Sequence, residues 1–371
     1  MLSRVELERI SLRASMEDYF RANKKLEPIK GLARAYALGV LRKYRLLDLL
    51  AERLLGVEIC SLRAEDRNLL RALLYEAKYR QVDLDRVVRV ARALRRPRLE
   101  RRDFELVKRC SVRELLKGMG ELERLSVEYS QPLWVVRYLV GLLGRAEALR
   151  LLRKFNQRHA RWIRANILRT TPEALASALK RRGVEVARDG DLEDVLKVLS
   201  PLNLSRLPEY EAGLFYIQDK ASALVSHVLR PEPGESILDA CAAPGSKALH
   251  AASLARDRVL LVAVDWRPSR LAILRRSASR LGVRSVDPIS ADSRMPPLRG
   301  KFDKVLVDPD CTSLGRLGHS PEIRLWLSER LVEEAKKLQV ELLRTAVDYV
   351  RAVSYTHLRA HETEADLVCR L

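Results

Sequence analysis

The sequence predicts an α/β fold, with a parallel sheet in the C-terminal half and helices in the N-terminal third. The sheet is indicated by short apolar runs that each end in an aspartate, a pattern typical of buried strands whose ends face a ligand. The helices are indicated by apolar residues that recur three and four positions apart within residues 32–50, 66–79 and 84–94. Between these regions the pattern is mixed, which predicts a small α+β segment.

The first predicted strand of the sheet leads into a tight loop. Ile237 and Leu238 are followed by Asp239, and the segment from Cys241 to Lys247 reads Cys-Ala-Ala-Pro-Gly-Ser-Lys. A second apolar run ends in Asp265, twenty positions after the glycine of that loop. A Rossmann-type half-sheet places an acidic, ribose-binding residue at this spacing. The sequence therefore predicts a strand-to-helix turn that holds a small charged ligand.

The composition of the loop indicates which ligand this is. The loop lacks the G-x-G-x-x-G pattern that brings backbone close to a pyrophosphate, which disfavours a dinucleotide and hence a nicotinamide dehydrogenase. S-adenosyl-L-methionine fits better, because its sulfonium and ammonium groups are cationic and carboxylates at strand ends would stabilise them. Asp239, Asp265, Asp292 and Asp308 all end or closely follow short apolar runs. Each alone could be a turn or helix cap, but four in register favour a ligand site.

Several motifs in order resemble the RNA 5-methylcytosine methyltransferases of the NOL1/NOP2/Sun type, which include the bacterial Fmu/Sun (RsmB-like) 16S ribosomal RNA enzymes. The resemblance spans about residues 125–350 and lies in the Cys241–Lys247 loop and the Asp-Pro-Asp-Cys segment that ends in Cys311. It implies an S-adenosylmethionine-dependent RNA (rRNA or tRNA) cytosine-C5 methyltransferase. The implied donor-binding residues are Cys241, Ala242, Ala243, Pro244, Gly245, Ser246, Lys247, Asp265, Asp292 and Asp308.

The resemblance implies two cysteines. One adds as a thiolate to cytosine C6, because C5 becomes nucleophilic only after that addition, and the other assists release of the product. Cys311 matches the cysteine that assists product release, although it could instead be a small apolar core residue. Asp310 replaces a usual proline and Ser246 a usual glycine. The carboxylate of Asp310 disfavours the neighbouring thiolate unless Lys304 or Arg316 neutralises it. These departures keep a second hypothesis open, a non-catalytic RNA-binding protein with a degenerate methyltransferase core.

The segment of residues 353–371 resembles a translated transposase sequencing adapter, so we expect a non-native tail and exclude it from fold reasoning. The strand-borne cysteine nucleophile of the family is then missing. We expect a truncated, inactive and aggregation-prone chain, whose last strand before Cys311 is left unpaired at the sheet edge. His357 and His361 imitate a zinc-binding helix but belong to the tail, as does Cys369.

Composition indicates the class of partner. Lys and Arg number 69 against 49 Asp and Glu, a formal net charge of +20, which favours RNA over a membrane surface. Five scattered cysteines without Cys-x-x-Cys spacing argue against disulfides and structural zinc, so we expect no metal. No apolar run reaches membrane-spanning length and no signal peptide is evident. We expect a cytoplasmic monomer.

These observations predict a truncated Rossmann-like S-adenosylmethionine-dependent methyltransferase core, preceded by an all-α domain and a small α+β RRM-like subdomain. Residues 34–48 and 66–80 weakly resemble a NusB-like RNA-binding domain. The predicted domains are residues 1–122 (NusB-like), 123–206 (RRM-like), 207–352 (methyltransferase core) and 353–371 (tail). A basic cluster could contact phosphates or form a solvated face; it consists of Arg95, Arg96, Arg98, Arg101 and Arg102.

Local signals predict further elements. Thr171 is expected to cap a helix that Gly183 ends, and Ser320 with Pro321 to open the helix after the Cys311 loop, which continues to about residue 350. The other predicted elements are helices at residues 134–143 and 146–154 and strands at residues 162–168 and 184–187.

Overall fold

A computed structural model describes residues 1–95, 97–157, 160–204 and 207–351 and the backbone of residues 356–358. The chain divides into two compact units: residues 1–158 with 313–329, and residues 159–312 with 330–371. Arg96 of the basic cluster lies outside the described residues, and so does most of the predicted tail, including His361 and Cys369.

The first unit is helical. Its core contains Leu47, Leu50, Leu70, Leu74 and Phe104, all nearly or fully buried. Its helices are α1 (Leu2–Leu7), α2 (Leu12–Ala22), α3 (Lys30–Leu55), α4 (Ala64–Tyr79), α5 (Leu84–Ala91), α6 (Arg101–Arg109), α7 (Val112–Leu115), α8 (Glu121–Glu128) and α9 (Leu133–Asn156). The three helices predicted from apolar periodicity correspond to α3, α4 and α5.

Helix α9 is bent where two separate helices were predicted. Gly144 adopts φ +75° and ψ 164°, a backbone conformation that glycine reaches without a steric penalty from a Cβ atom. Short 3-10 helices complete the unit, at Lys24–Ile29, Ile59–Ser61, Leu314–Arg316 and Pro321–Leu325. The expectation that Ser320 and Pro321 open the long helix is wrong, because Pro321 begins the last of these 3-10 helices and the long helix begins only at Glu329.

Two members of the basic cluster are paired with neighbouring carboxylates. Arg101 lies 2.6 Å from Asp85 and 2.9 Å from Glu105, and Arg102 lies 3.2 Å from Glu100. These pairs are exposed and weak, so the guanidinium groups stay accessible. The pairing supports the solvated-face interpretation for these two arginines.

The second unit begins with a four-stranded antiparallel sheet of order β2-β3-β1-β4. Its elements are β1 (Arg161–Ala165), α10 (Pro172–Arg181), β2 (Val186–Arg188), β3 (Val195–Val198), α11 (Pro208–Glu211) and β4 (Phe215–Ile217). Thr171 caps α10 as predicted, because its hydroxyl accepts the N–H of Ala174 at 3.2 Å. Gly183, at φ +76°, follows the helix as predicted.

The rest of the second unit contains a parallel sheet of order β7-β6-β5-β8-β9, with helices connecting β5 to β6, β6 to β7 and β8 to β9. This order confirms the predicted Rossmann-like core. Its elements are α12 (Lys220–Leu229), β5 (Ser236–Asp239), α13 (Ser246–Leu254), β6 (Leu260–Asp265), α14 (Pro268–Leu281), β7 (Val286–Ser290), β8 (Lys304–Val307), α15 (Glu329–Val347) and β9 (Thr356–Leu358).

The edge of this sheet differs from the expectation. Strand β9 pairs with β8 in parallel, with Val305 opposite Thr356 and Val307 opposite Leu358. The prediction of an unpaired β8 is therefore wrong, because extended backbone of the C-terminal segment supplies hydrogen-bonding groups to that edge.

Candidate functional site

The strand-end carboxylates meet at the end of the parallel sheet that is formed by the carboxyl-terminal ends of its strands, which is called the carboxylate edge below. Strand β5 lies between β6 and β8, with Asp239 opposite Ala263 and Leu306. Because parallel strands in register end together, Asp239, Asp265 and Asp308 are brought to the same edge. The sequence predicted this convergence from the position of each aspartate after an apolar run.

The loop from Cys241 to Lys247 is fixed by glycine geometry at its last turn. Gly245 has φ +106°, and a Cβ atom there would lie 2.7 Å from Cγ of Leu274. The position therefore excludes side chains both by backbone conformation and by space. The preceding peptide bond, Ala243–Pro244, is cis. Helix α13 begins at Ser246, so the loop approaches the helix N-terminus, as predicted.

Asp265 holds this loop through backbone donors. One carboxylate oxygen accepts the N–H of Ala243 at 3.2 Å, and the other accepts the N–H of Arg267 at 2.9 Å. The side chain is 4% exposed. Asp265 therefore performs the turn-capping role that was considered as an alternative, and it performs that role at the sheet edge where a ligand-binding carboxylate was expected.

A buried charge cluster lies beside the loop. The ammonium group of Lys247, 5% exposed as a residue, donates to the carboxylate of Asp308. Asp239 is 2% exposed. Burial, and then the negative charge of Asp308, raises the pKa of Asp239 to about 7, although Lys247 partly opposes this shift. These three carboxylates are accompanied by two cations, the ammonium group of Lys247 and the guanidinium group of Arg270, which lies 3.8 Å from Oδ2 of Asp265. The carboxylates therefore outnumber the cations.

Cys241 lies in an environment that disfavours its thiolate form. Burial raises the pKa of its thiol far above the ordinary value, and the negative charges of Asp239 and Asp308 raise it further. The thiol therefore stays protonated at neutral pH. Its place in the loop is consistent with a packing role.

Asp292 differs from the other strand-end aspartates. It follows β7, and the neighbouring Ala291 N–H donates to the backbone carbonyl of Asp265 at 3.3 Å, which places Asp292 next to the same edge. Its side chain is 49% exposed and pairs with Arg294 at 2.7 Å. The hydrogen bond from Arg294 lowers the pKa of Asp292. Asp292 is thus a solvent-facing carboxylate at the rim of the site.

Cys311 lies three residues after Asp308, in the loop that follows β8, and is partly buried. The neighbouring Asp310 does not pair with Lys304, whose ammonium group instead lies 2.8 Å from Glu235. Asp310 pairs with Arg270 of α14 at 3.1 Å, a partner that the sequence analysis missed. The contact joins two elements forty residues apart, and no local spacing signals it.

A second polar cluster was also missed. Asp194 accepts hydrogen bonds from His227 of α12 and His250 of α13, each at 2.8 Å. Burial lowers the pKa of His250 to about 3. Burial alone would raise the pKa of Asp194, but the two imidazole hydrogen bonds bring it well below its usual range. These three side chains come from distant parts of the sequence, which explains why no motif revealed them.

Asp194, His227 and His250 each offer one possible metal-ligand atom, and these three atoms lie within 4.8 Å of one another, a spacing compatible with metal binding. A cation is disfavoured there by Arg164, whose side chain is fully buried and whose positive charge also lowers the pKa of His250. The cluster is therefore better described as a buried hydrogen-bond network that joins α12 and α13 to the antiparallel sheet.

Comparison with known proteins relates these features to three families. Residues 226–356 match the family described as 16S rRNA methyltransferase RsmB/F. Residues 131–205 match its ferredoxin-like domain, and residues 1–101 match the NusB family. Among the described residues, no helix is both long and apolar enough to cross a membrane.

Curated and solved relatives agree with these matches. The probable ribosomal RNA small subunit methyltransferase B of Synechocystis is 28% identical over 333 residues, covering 85% of this chain and 73% of that protein. Ribosomal RNA small subunit methyltransferase B of Escherichia coli is 27% identical over 321 residues, covering 85% and 74%. The crystal structure of PH0851 is 27% identical with a TM-score of 0.79, covering 97% of this chain and 84% of that one.

The parallel sheet with its carboxylate edge defines a Rossmann-like methyltransferase core. That core matches the RsmB/F family of rRNA methyltransferases, and it follows a NusB-like helical domain and a ferredoxin-like subdomain. The predicted family and fold class are therefore confirmed.

Proposed function

We propose that this chain is an S-adenosylmethionine-dependent RNA methyltransferase that acts on C5 of cytosine. The observation that carries the proposal is the excess of buried carboxylate beside the Cys241–Lys247 loop, adjacent to the segment that bears Cys311. Asp239, Asp265 and Asp308 converge there, with Lys247 beside Asp308 and Arg270 3.8 Å from Asp265. A cationic ligand would offset their mutual repulsion, and the neutral loop without a phosphate cradle suits a sulfonium donor.

The donor supplies an activated methyl group, while the chain supplies binding and orientation. We assign ribose recognition to Asp265, and to Asp292 a polar contact at the rim. Lys247 and Asp308 position each other at the inner side of the site. Residues 241–247 form the wall against which the donor packs. The resemblance implies that these residues line the donor site, and the spacing of Asp265 after the loop supports its assignment to the ribose.

RNA is the proposed acceptor because of the chain's charge and the names of its curated relatives. The net charge of +20 attracts a polyanion, and both curated relatives are named as ribosomal RNA small subunit methyltransferase B, the first as probable. We therefore propose rRNA as the substrate, with the NusB-like domain adding contacts to the RNA.

We also propose domain borders near residues 122, 206 and 352. We further propose that the protein is a monomer that acts in the cytoplasm, where it would meet its rRNA substrate.

Cytosine chemistry assigns a role to Cys311. One thiolate must add to C6, and a second cysteine assists release of the methylated base. We propose that Cys311 performs the release step. In the second unit, the cysteines of the described residues are Cys241 and Cys311, neither in a disulfide, and Cys241 stays protonated. The nucleophile would come from a strand-borne segment of the kind that the family carries.

Two assays test the proposal. Calorimetry with S-adenosylmethionine on the 371-residue chain tests donor binding. Transfer of labelled methyl groups to unmodified small-subunit rRNA, followed by nucleoside analysis, tests the position of methylation. The transfer assay is run with the chain and with a version in which residues 353–371 are replaced by the corresponding segment of a curated relative. Labelled 5-methylcytidine from the second version supports the proposal, and label in any other nucleoside contradicts it.

A non-catalytic RNA-binding protein is the alternative, and the substitutions Asp310 and Ser246 favour it. The same assays separate the two functions. RNA binding without any heat from S-adenosylmethionine supports the alternative, whereas donor binding in the low micromolar range or tighter supports the enzyme.

A further inference from the structure

The guanidinium group of Arg270 contacts three parts of the site at once. It donates to the backbone carbonyl of Ala243 in the Cys241–Lys247 loop. It donates to Oδ1 of Asp310 at 3.1 Å and lies 3.8 Å from Oδ2 of Asp265. The side chain of Arg270 is 29% exposed, so these contacts are partly shielded from water. A planar guanidinium can serve several acceptors with fixed geometry, which a lysine cannot do.

Asp310 is held from a second side. Its backbone carbonyl accepts the side-chain amide of Gln339, on α15, at 3.3 Å. Arg267 adds a distant ion pair to its carboxylate at 3.9 Å. The residue directly before Cys311 is thus anchored by its side chain to α14 and by its backbone to α15. A proline at this position could not make the side-chain contact.

We propose that Arg270 and Asp310 are positioning residues that tie the loop carrying Cys311 to the loop that holds the methyl donor. This inference rests on the proposed function, because the Arg270–Asp310 connection, called the tie below, sets where the Cys311 thiol lies relative to the proposed donor. It explains how this chain keeps the Cys311 loop in place with an aspartate before the cysteine. Charge-assisted contacts here replace the stiffness that a proline ring gives to the backbone.

The direction in which the alkylation rate of Cys311 changes distinguishes this tie from a simple charge effect of Arg270. If Arg270 only stabilised the thiolate of Cys311, removing its charge would slow alkylation of that thiol. If Arg270 holds the loop in place, removing it exposes Cys311 and speeds alkylation. The two accounts also differ for Arg270→Lys. This variant keeps the charge but cannot serve Ala243 and Asp310 together, so only the tie predicts a change.

The test measures the rate of iodoacetamide alkylation of Cys311 by peptide mass spectrometry, on the full 371-residue chain without donor. We expect Arg270→Gln and Arg270→Lys each to raise the rate about two- to five-fold, the range set by a partly exposed ion pair. Arg276→Gln is the matched control, because Arg276 is an exposed arginine on the same helix. It should leave the rate unchanged. Cys60, which is exposed, provides an internal reference rate.

A slower rate in Arg270→Gln, or an unchanged rate in Arg270→Lys, would overturn the tie. Thermal melting of each variant verifies that the fold is retained, and Arg270→Lys serves as the milder change if Arg270→Gln unfolds. Donor calorimetry on the wild-type chain is done separately. Absence of donor binding would refute the proposed function, while the donor-free alkylation rates would still decide whether the tie exists.

Discussion

The Nε2 atom of His250 lies 2.8 Å from Oδ2 of Asp194, and this contact joins α13, the helix that follows the Cys241–Lys247 loop, to the small antiparallel sheet. His250 is completely buried and Asp194 is 3% exposed. The contact therefore links the ferredoxin-like subdomain to the methyltransferase core through a charge-assisted hydrogen bond in a water-poor environment, where removing one partner leaves the other unsatisfied.

Replacing His250 should destabilise the second unit strongly. We expect His250→Ala to lower the free energy of unfolding by about 2–4 kcal/mol, because it leaves a cavity and removes a hydrogen bond to a buried carboxylate. The matched control is His227→Ala, which removes a bond of the same length to the same carboxylate from a side chain that is 27% exposed. Urea denaturation should show a clearly smaller loss for His227→Ala. Equal losses would contradict the importance of burial at His250.

The same histidine predicts a pH dependence. Burial lowers the pKa of folded His250 to about 3 from an ordinary 6.5, so the unfolded chain binds the extra proton between these values. Stability from this group is therefore lost as pH falls from about 6.5 towards 3, by at most about 1.4 kcal/mol per pH unit. The stability difference between wild type and His250→Gln should shrink from pH 7 to pH 5. A difference that stays constant would contradict a neutral, buried His250.

Asp239 has the opposite pH dependence. The effect of His250 is therefore measured as the stability difference between wild type and His250→Gln, in which the contribution of Asp239 cancels. Its folded pKa is raised to about 7 from 3.8, so its contribution to stability is lost as pH rises through about 7. A bound cation beside Asp239 should lower this pKa and release a proton. At pH 7 we expect about half a proton released per S-adenosylmethionine bound, because the group is then about half protonated.

Calorimetry in two buffers of different ionisation enthalpy measures that release. Asp239→Asn should abolish it, since an amide carries no titrating proton. Binding heats that are the same in both buffers for the wild-type chain would show that the donor does not lie beside Asp239.

Gly245 predicts a steric effect that can be isolated. Gly245→Ala adds a Cβ atom at 2.7 Å from Leu274 to a backbone at φ +106°. The matched control is Gly234→Ala, where φ is +95° and nothing lies within 4 Å of the added atom. Both changes share the backbone penalty of about 1 kcal/mol. Gly245→Ala should cost at least about 1 kcal/mol more because of overpacking, as measured by thermal or urea denaturation. Equal losses of unfolding free energy in the two variants would show that the loop can shift to accommodate the added Cβ atom, which would contradict this prediction.

The sequence predicted those parts of the site that local patterns encode. A short apolar run that ends in aspartate identifies a strand and its functional end together, so the amino-acid order alone was enough to group Asp239, Asp265 and Asp308. The glycine at the turn was recognisable for the same reason. Thr171 and Gly183 marked the ends of α10 because capping depends on neighbouring residues.

Contacts between distant segments could not be predicted in this way. The sequence analysis considered Lys304 or Arg316 as residues that could neutralise Asp310, whereas the observed partner is Arg270 on α14. Asp194, His227 and His250 meet only after two sheets and two helices have packed. The pairing of β9 with β8 was missed because the C-terminal segment was excluded from fold reasoning.

Calorimetric titration of the 371-residue chain with S-adenosylmethionine tests the central claim most directly. The carboxylate edge predicts saturable binding of one donor, tighter for the cationic S-adenosylmethionine than for its neutral demethylated product, and at least about ten-fold weaker in Asp265→Ala, where a buried ligand-binding carboxylate is lost. Arg276→Gln should bind as the wild type does. A folded chain that gives no binding heat, or that binds equally well with Asp265→Ala, would contradict the assignment of this edge as the methyl-donor site.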